Sequence, residues 1–425
     1  MLLQFSVENY RSYKNKAVLS LEASTDKELP NNVVYFEKNG VLKVASIFGA
    51  NASGKSNLFR ALTAAIINVR NSNTFQIGQP LFDIIPFRFD EESKVEPSAF
   101  EFVFYQGGVK YVYMFSATSQ EVKKECLYYY KTSKPSTIFE RENADEDVYK
   151  FTDPSIKREL EPIAKKNTKN KLFLSTATQW NSIYTKTPFE FFANNINTYS
   201  PDFNIMLPQI GEMLMNDNDQ SVRNFVIKLL KAGDIQIESY SVEKDEQSGE
   251  EIYNAFPPEL KNLISRDFFR NSKNVNYLIN TFHEVNGRKY SLKMDDESDG
   301  TRNIFGISPI LKRAFQVTGE TVCIDEFDRS LHPNLVQFLV GLFNDESVNV
   351  CNAQLIISSH SALLLSQDHL RRDQFYFVEK DNESGSSDLY SLDEFSPRKR
   401  ENIRNAYLLG RYGAVPNLDG GASLK

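Results

Sequence analysis

Two glycines, a lysine and a serine near residue 50 have the spacing of a loop that binds phosphate. The stretch Gly49–Ser56 reads Gly-Ala-Asn-Ala-Ser-Gly-Lys-Ser and fits the pattern G-x-x-x-x-G-K-[ST]. In such a loop backbone N–H groups surround one anion, the lysine reaches the β- and γ-phosphates, and the serine hydroxyl binds Mg²⁺. We therefore predict ATP and Mg²⁺ as ligands. The predicted phosphate contacts are Gly49, Ala50, Asn51, Ala52, Ser53, Gly54, Lys55, Ser56 and Asn57.

The segments on either side of this loop suit that interpretation. Val44–Phe48 is an apolar run typical of a buried strand, and Asn57–Leu62 has the composition of a helix start. A loop between a strand and a helix aims the helix N-terminus at the bound phosphate. The alternative is a glycine turn that only caps a helix, and the flanking strand makes it the weaker interpretation.

Two later apolar strands end in residues that could complete the site. Thr321–Ile324 is followed by Asp325 and Glu326, and Gln354–Ser358 is followed closely by His360. We expect Asp325 to bind Mg²⁺ beside Ser56, and Glu326 to polarise the attacking water as a general base. His360 is expected to contact the γ-phosphate. The predicted catalytic residues are thus Lys55, Glu326 and His360. The alternatives are an ordinary acidic pair at a strand end and a histidine of the core.

A second candidate anion site precedes a predicted helix. Ser298, Gly300 and Thr301 combine a hydroxyl, a flexible backbone and a helix N-terminus. One fold cannot easily use two phosphate cradles on one ATP, whereas two chains placed head-to-tail can. The alternative is a Ser/Asp cap with a glycine turn.

The hydrophobic pattern predicts an α/β fold in three parts. Residues 1–152 carry alternating strands, including a hairpin over 99–115, and the phosphate loop. Residues 153–274 form a mainly helical insertion, with a polar loop at Lys244–Glu251. Residues 275–425 begin with a hairpin around Asn286-Gly287 and then alternate helix and strand, which favours a parallel sheet with flanking helices.

Composition excludes several classes of protein. The chain has 425 residues, is 41% hydrophobic and 25% charged, and lacks a run long enough for a membrane span. We expect no secretion signal, because Met1–Phe5 lacks a basic region and a cleavage site. The three cysteines (Cys126, Cys323 and Cys351) are scattered, so we expect a reduced cytoplasmic protein. The net charge of −7 argues against a surface that is basic throughout, although basic clusters lie at 157–171 and at Arg398–Arg400.

Taken in order, Gly49–Ser56, Ser298–Thr301, Asp325–Glu326 and His360 resemble the Walker A, signature, Walker B and switch-histidine elements of ABC-type ATPases. The subgroup is similar to the SMC/RecF/OLD branch, whose ATPase head combines a mixed or parallel sheet with an antiparallel N-terminal sheet and is split by an insertion. The signature reads Glu-Ser-Asp-Gly-Thr where ABC transporters carry Leu-Ser-Gly-Gly-Gln. Gln76 is a candidate for the Q-loop glutamine on spacing alone.

More closely, the chain resembles AbiLi-type (abortive infection) AAA-family ATP-binding proteins of bacteria. The matching stretches are Phe48–Asn57, Pro86–Asp90, Ile324–Pro333, Phe377–Asp381 and Tyr407–Pro416. The resemblance implies slow ATP hydrolysis, an ATP-dependent homodimer or higher oligomer, and anti-phage defence through a separately encoded nuclease or toxin. A fused nuclease is not expected, because the residues after Glu379 contain no Asp-x-Asp pair. The alternatives are a RecF-like protein that contacts DNA or RNA, and a nucleotide-gated scaffold with little turnover.

Overall fold

The computed structural model describes residues 1–36, 39–143, 147–248, 251, 273–366, 368–395 and 401–416. The chain forms two compact units. The first comprises Met1–Tyr199, Ala314–Asp328 and Val336–Lys425, and the second comprises Ser200–Arg313 and Arg329–Leu335. The second unit therefore begins later than residue 153, where the sequence pattern placed the start of an inserted region.

The strands of the first unit are β1 (Leu2–Glu8), β2 (Ala17–Ser20), β3 (Val33–Phe36), β4 (Asn39–Leu42), β5 (Val44–Phe48), β6 (Ser98–Gln106), β7 (Val109–Ala117), β8 (Val122–Tyr130), β9 (Ser136–Asn143), β10 (Asp147–Lys150), β11 (Ile196–Tyr199), β15 (Thr321–Ile324), β16 (Gln354–Ser358), β17 (Phe375–Lys380) and β18 (Ser387–Ser391). Those of the second unit are β12 (Ser239–Ser248), β13 (Lys273–Val285) and β14 (Arg288–Lys293).

The α-helices are α1 (Lys55–Asn71), α2 (Pro154–Ala164), α3 (Phe173–Gln179), α4 (Ile183–Glu190), α5 (Phe203–Met215), α6 (Ser221–Ala232), α7 (Asp299–Ala314), α8 (Pro333–Asn344) and α9 (Ile403–Leu408). A π-helical turn, Phe191–Asn195, follows α4 directly. Helices α2 to α4 belong to the first unit, and Ile156, Leu160 and Phe173 from them are buried in its core.

Two sheets build the first unit. An antiparallel sheet has the strand order β10-β9-β8-β7-β6-β1-β2, and a mainly parallel sheet has the order β11-β15-β16-β5-β17-β18. In the second sheet β5 lies between β16 and β17 and is parallel to both. The combination of a mixed sheet with an antiparallel N-terminal sheet confirms the predicted fold class. Since parallel strands end at one edge, the residues after β5, β15 and β16 lie close together.

One buried amide joins the two sheets. The side chain of Gln354, at the start of β16, is fully buried and accepts from the backbone N–H of Leu2 at 2.7 Å. Its Nε2 donates to the carbonyls of Leu2 and Leu42, both at 2.9 Å. The Thr321 hydroxyl donates to the same amide oxygen at 2.9 Å. Every polar atom of this side chain is thus paired, as burial requires.

The second unit contains more strand than the sequence pattern indicated. The polar loop predicted at Lys244–Glu251 is wrong for its first part, because β12 continues to Ser248 and pairs antiparallel with β13. These residues are exposed, so they lack the apolar alternation that reveals a half-buried strand. Residues 249 and 250, like the basic triplet Arg398–Arg400, lie outside the described residues. The hairpin at Asn286-Gly287 is confirmed, with both turn residues at positive φ.

Candidate nucleotide-binding site

The glycine-rich segment forms the connection between β5 and α1. All five residues of β5 are buried, and the helix begins at Lys55. Gly54 precedes it with φ 119°, in the region that only glycine adopts readily, and Ala52 has φ 63°. The backbone therefore turns sharply enough to bring the loop over the N-terminus of α1.

Neither glycine of the motif leaves room for a side chain. A Cβ on Gly49 would lie 2.4 Å from the carbonyl oxygen of Val378 in β17. A Cβ on Gly54 would lie 2.3 Å from the hydroxyl of Ser387 and 2.9 Å from that of Ser12. The motif needs glycine at both positions because neighbouring chain segments press against the loop.

Three hydrogen bonds hold the loop from outside, and sequence spacing gave no sign of them. The Tyr13 hydroxyl donates to the carbonyl of Gly54 at 3.1 Å, and the Asn57 amide donates to the Ser12 hydroxyl at 2.8 Å. From β18, the Ser387 hydroxyl donates to the carbonyl of Ser53 at 2.5 Å. The turn between β1 and β2 and the start of β18 therefore fix the loop before any ligand binds.

Lys55 is folded back over the loop. Its Nζ donates to the carbonyls of Gly49 at 2.7 Å and Ala50 at 3.0 Å, and the residue is 5% exposed. Burial lowers the pKa of the Lys55 ammonium, while the charges of Asp325 and Glu326 act in the opposite direction. Neutral carbonyls are weaker partners for an ammonium than phosphate oxygens, so an anion in the loop would attract this group.

Both predicted Walker B residues form a hydrogen bond with Ser358. The Ser358 hydroxyl, at the end of β16, donates to Asp325 Oδ1 at 2.5 Å and accepts from the backbone N–H of Glu326 at 2.7 Å. Glu326 has φ 51°, which is uncommon for a residue with a side chain. One hydroxyl therefore orients the carboxylate of one residue and the backbone of the next.

His360 is held through its backbone. Its N–H and that of Ser361 both donate to Asp328 Oδ2 at 2.9 Å. Asp328 thus ties the segment after β15 to the segment after β16, and the His360 side chain stays exposed. The sequence prediction missed Asp328, although it lies only two residues beyond Glu326.

A cavity of about 480 Å³ brings most of the predicted residues together. It is lined by Asn51, Ala52, Ser53, Gly54, Lys55, Ser56, Asn57, Glu326 and His360. Gly49 and Ala50 line a second, adjoining cavity. Asp325 lines neither, and its Oδ1 accepts from Ser358. Gln76 is exposed and lines neither cavity.

The residues present suit a phosphate with Mg²⁺. The Ser53 hydroxyl is buried and has no hydrogen-bond partner among the described residues, which is unusual unless a ligand supplies one. Ser56 lines the cavity, and oxygen atoms such as those of hydroxyl and carboxylate groups are the ligands that Mg²⁺ prefers. Within the described part of the chain, no cluster of three or more His, Cys, Asp or Glu residues could hold a metal by itself.

The predicted signature residues belong to the second unit. The backbone N–H of Thr301 donates to the Ser298 hydroxyl at 3.2 Å, so Ser298 caps the start of α7. A Cβ on Gly300 would lie 2.8 Å from the carbonyl of Ser330. Just before them, Glu297 accepts from the Thr281 hydroxyl and contacts His283 Nε2, both at 2.6 Å. None of these residues lines the cavity at the phosphate loop.

A buried strand, a glycine-rich loop and a helix, with neighbouring parallel strands that end in Asp-Glu and His, are the features of a P-loop ATPase domain. The chain belongs to the family described as "AAA domain, putative AbiEii toxin, Type IV TA system", whose model matches residues 44–366. No curated protein matches the chain.

Solved structures of SMC heads are similar to the chain at low identity. The SMC head domain from Thermotoga maritima is 12% identical, with 92% of this chain and 98% of that chain covered and a TM-score of 0.38. An SMC head bound to the C-winged helix domain of ScpA is 11% identical, with 93% of this chain and 99% of that chain covered and a TM-score of 0.41.

Among the described residues, no helix combines the length and the apolar composition that crossing a bilayer requires.

Proposed function

We propose that this chain is a slow ATPase that binds Mg·ATP at Gly49–Ser56. The observation that carries the proposal is that loop residues, Glu326 and His360 line one cavity. Lys55 would neutralise charge on the β- and γ-phosphates, and Glu326 would accept a proton from the attacking water. Mg²⁺ at Ser56 and Asp325 would offset further phosphate charge.

The dimer belongs to the same proposal. Ser298, Gly300 and Thr301 lie at the N-terminus of α7, where backbone N–H groups favour an anion, but they do not line the cavity of their own chain. A second copy placed head-to-tail would bring them to the γ-phosphate. ATP would then act as the bridge between two protomers, and hydrolysis would release them.

We assign the protein to an anti-phage system of the abortive-infection type, AbiLi-like, acting in the cytoplasm. Two observations support this assignment: the family description refers to a toxin and a type IV TA system, and the sequence resembles AbiLi-type proteins. In this assignment the ATP-bound dimer controls a separately encoded effector, a nuclease or toxin.

The test is Glu326→Gln, which keeps the size of the side chain and removes the base. Because the amide cannot take the proton, we expect hydrolysis to fall by about 100-fold or more while ATP binding is retained. Single-turnover assays with enzyme in excess measure product, and sedimentation velocity measures the ATP-bound dimer. If the variant hydrolyses ATP at the wild-type rate, Glu326 is not the base. If the wild type forms no product either, the chain is a nucleotide-gated scaffold.

A RecF-like contact with nucleic acid is the second candidate. Lys157, Arg158, Lys165 and Lys166 are exposed around α2, and Lys166 Nζ lies 4.6 Å from the centre of the exposed Trp180 ring. Cations beside an aromatic ring suit a phosphate backbone with stacked bases. Binding of duplex DNA or RNA that weakens steeply with salt and needs ATP would favour this candidate, and no binding at low salt would exclude it.

A further inference from the structure

Three stretches that the proposed mechanism does not use meet at one place. Pro86–Asp90, Phe377–Asp381 and Tyr407–Pro416 each contribute residues to a cavity of about 1250 Å³ in the first unit. The same cavity is lined by Gly49–Ser53 and His360, which also line the candidate phosphate site or belong to its loop. A ligand bound at the loop could therefore extend into this space.

We propose that this larger cavity holds the base and ribose of the nucleotide, with the base stacked on Phe89. The inference rests on the proposed function, because it needs phosphates at Gly49–Ser56. The residues that would contact the base and ribose are far from Gly49–Ser56 in sequence, and Phe89 would contribute to the affinity for ATP.

Phe89 is an exposed aromatic ring in a fixed position. It is 71% exposed, yet its ring meets the buried Phe87 edge-on at 5.6 Å between centroids. A Cβ on Gly385 would lie 2.6 Å from the Phe89 ring, so the glycine lets the backbone turn pack against it. Lys380 Nζ lies 5.6 Å from the ring centre. A ring that is exposed at a cavity and held by its neighbours offers a flat face on which a base can stack.

The charges around the cavity favour the neutral end of a nucleotide over further phosphates. Its lining includes Asp90, Glu379, Asp381 and Glu383 but only two lysines, Lys14 and Lys380. Asp90 Oδ2 lies 3.5 Å from Lys14 Nζ and accepts a hydrogen bond from the backbone N–H of Ser93 at 3.0 Å. Carboxylate oxygens accept hydrogen bonds from the amino group of a base or from ribose hydroxyls, whereas they repel phosphate.

The test compares ATP with inorganic triphosphate, each with Mg²⁺, in equilibrium binding to the full chain. Base stacking on an aromatic side chain corresponds to about 5- to 150-fold in affinity, so Phe89→Ala should weaken ATP binding within that range. Triphosphate has no base, and its affinity should not change. Phe82→Ala is the matched control, because Phe82 is 46% exposed and does not line the cavity.

Phe89→Trp provides an optical readout. This variant should keep its affinity for ATP. ATP should quench the fluorescence of the new tryptophan, whereas triphosphate should not. Trp180 is the one native tryptophan of the chain, so its fluorescence is the background to subtract. The proposal is overturned if Phe89→Ala leaves ATP affinity unchanged or weakens ATP and triphosphate equally. Lys55→Ala tests the phosphate site independently of the base site. If this variant weakens the binding of neither ATP nor triphosphate, the phosphate site at Gly49–Ser56 is wrong, whatever the result for Phe89→Ala.

Discussion

At the scale of single residues, one hydroxyl organises the acidic end of the candidate site. Ser358 donates to the carboxylate of Asp325 and accepts from the backbone N–H of Glu326. Glu326 has a positive φ, and this hydrogen bond helps to hold it there. Ser358 therefore acts as a positioning residue for the proposed metal ligand and the proposed base, and it lines neither cavity.

We predict that Ser358→Ala lowers kcat for ATP by about 10- to 100-fold, the usual effect of removing a group that orients a ligand or base. ATP affinity should change much less, because Ser358 does not line the cavity at the loop. Steady-state kinetics and equilibrium ATP binding, measured on the same samples, distinguish the two effects.

Ser46→Ala is the control for that variant. Ser46 is also fully buried, lies on the adjacent strand β5, and has a hydroxyl without a hydrogen-bond partner among the described residues. Removing that hydroxyl should leave kcat unchanged. A wild-type kcat in Ser358→Ala, or equal losses in both variants, would contradict the positioning role.

At the scale of secondary-structure elements, the phosphate loop is held between two segments remote in sequence. The turn after β1 supplies Ser12 and Tyr13, and β18 supplies Ser387. Gly54 lies against both segments, because a Cβ at this position would meet the hydroxyls of Ser387 and Ser12. The rigidity of the loop therefore depends on packing between elements as well as on its own sequence.

We predict that Gly54→Ala destabilises the protein more than a glycine substitution without neighbours does. At φ 119° the alanine is strained, and its Cβ would meet the Ser387 hydroxyl at 2.3 Å. Gly108→Ala is the matched control, because Gly108 also has positive φ but no atom within 4 Å of the added Cβ. Alanine at Gly108 should cost about 1–2 kcal/mol of unfolding free energy, and at Gly54 more.

Urea unfolding gives the two free energies of unfolding, and ATP titration shows whether the loop still binds. Gly54→Ala should lose ATP binding, whereas Gly108→Ala should keep it. Equal destabilisation with ATP binding intact in both variants would show that the neighbouring segments do not restrain the loop.

Apolar runs in the sequence predicted the fully buried strands, whereas the exposed strand β12 was missed. Strands β5, β15 and β16 are fully buried, so each appears as an apolar run. Strand β12 is mostly exposed and depends on pairing with β13, which leaves no periodic pattern. The bounds of the two compact units also depend on contacts between distant segments, which no local pattern records.

The same distinction applies within the candidate site. The spacing of Gly49–Ser56 reveals the loop because the chemistry is local. The contact between Ser53 and Ser387 joins residues far apart in the chain, and no spacing rule connects them. Asp328 and Ser358 are common residue types at strand ends, so only their geometry distinguishes them as positioning groups.

At the scale of the whole molecule, the residues predicted for the nucleotide site occur in both compact units. The loop, Glu326 and His360 belong to the first unit, and Ser298–Thr301 belong to the second. In the proposed head-to-tail dimer each nucleotide uses the loop of one protomer and the signature residues of the other. A variant in the loop should therefore damage the part of the site that one protomer supplies, and a variant in the signature should damage the part that the other supplies.

We predict that Lys55→Ala and Ser298→Arg are each inactive alone and recover ATPase activity when mixed. A mixed dimer has one intact site, built from the loop of the Ser298→Arg protomer and the signature of the Lys55→Ala protomer. With random pairing, about half of the dimers are mixed, and each mixed dimer has one of its two sites intact. An equal mixture should therefore reach about a quarter of wild-type activity. Mixing Lys55→Ala with Gly54→Ala, both in the loop, should recover nothing. Full activity of Ser298→Arg alone, or no recovery in the first mixture, would contradict a site shared between protomers.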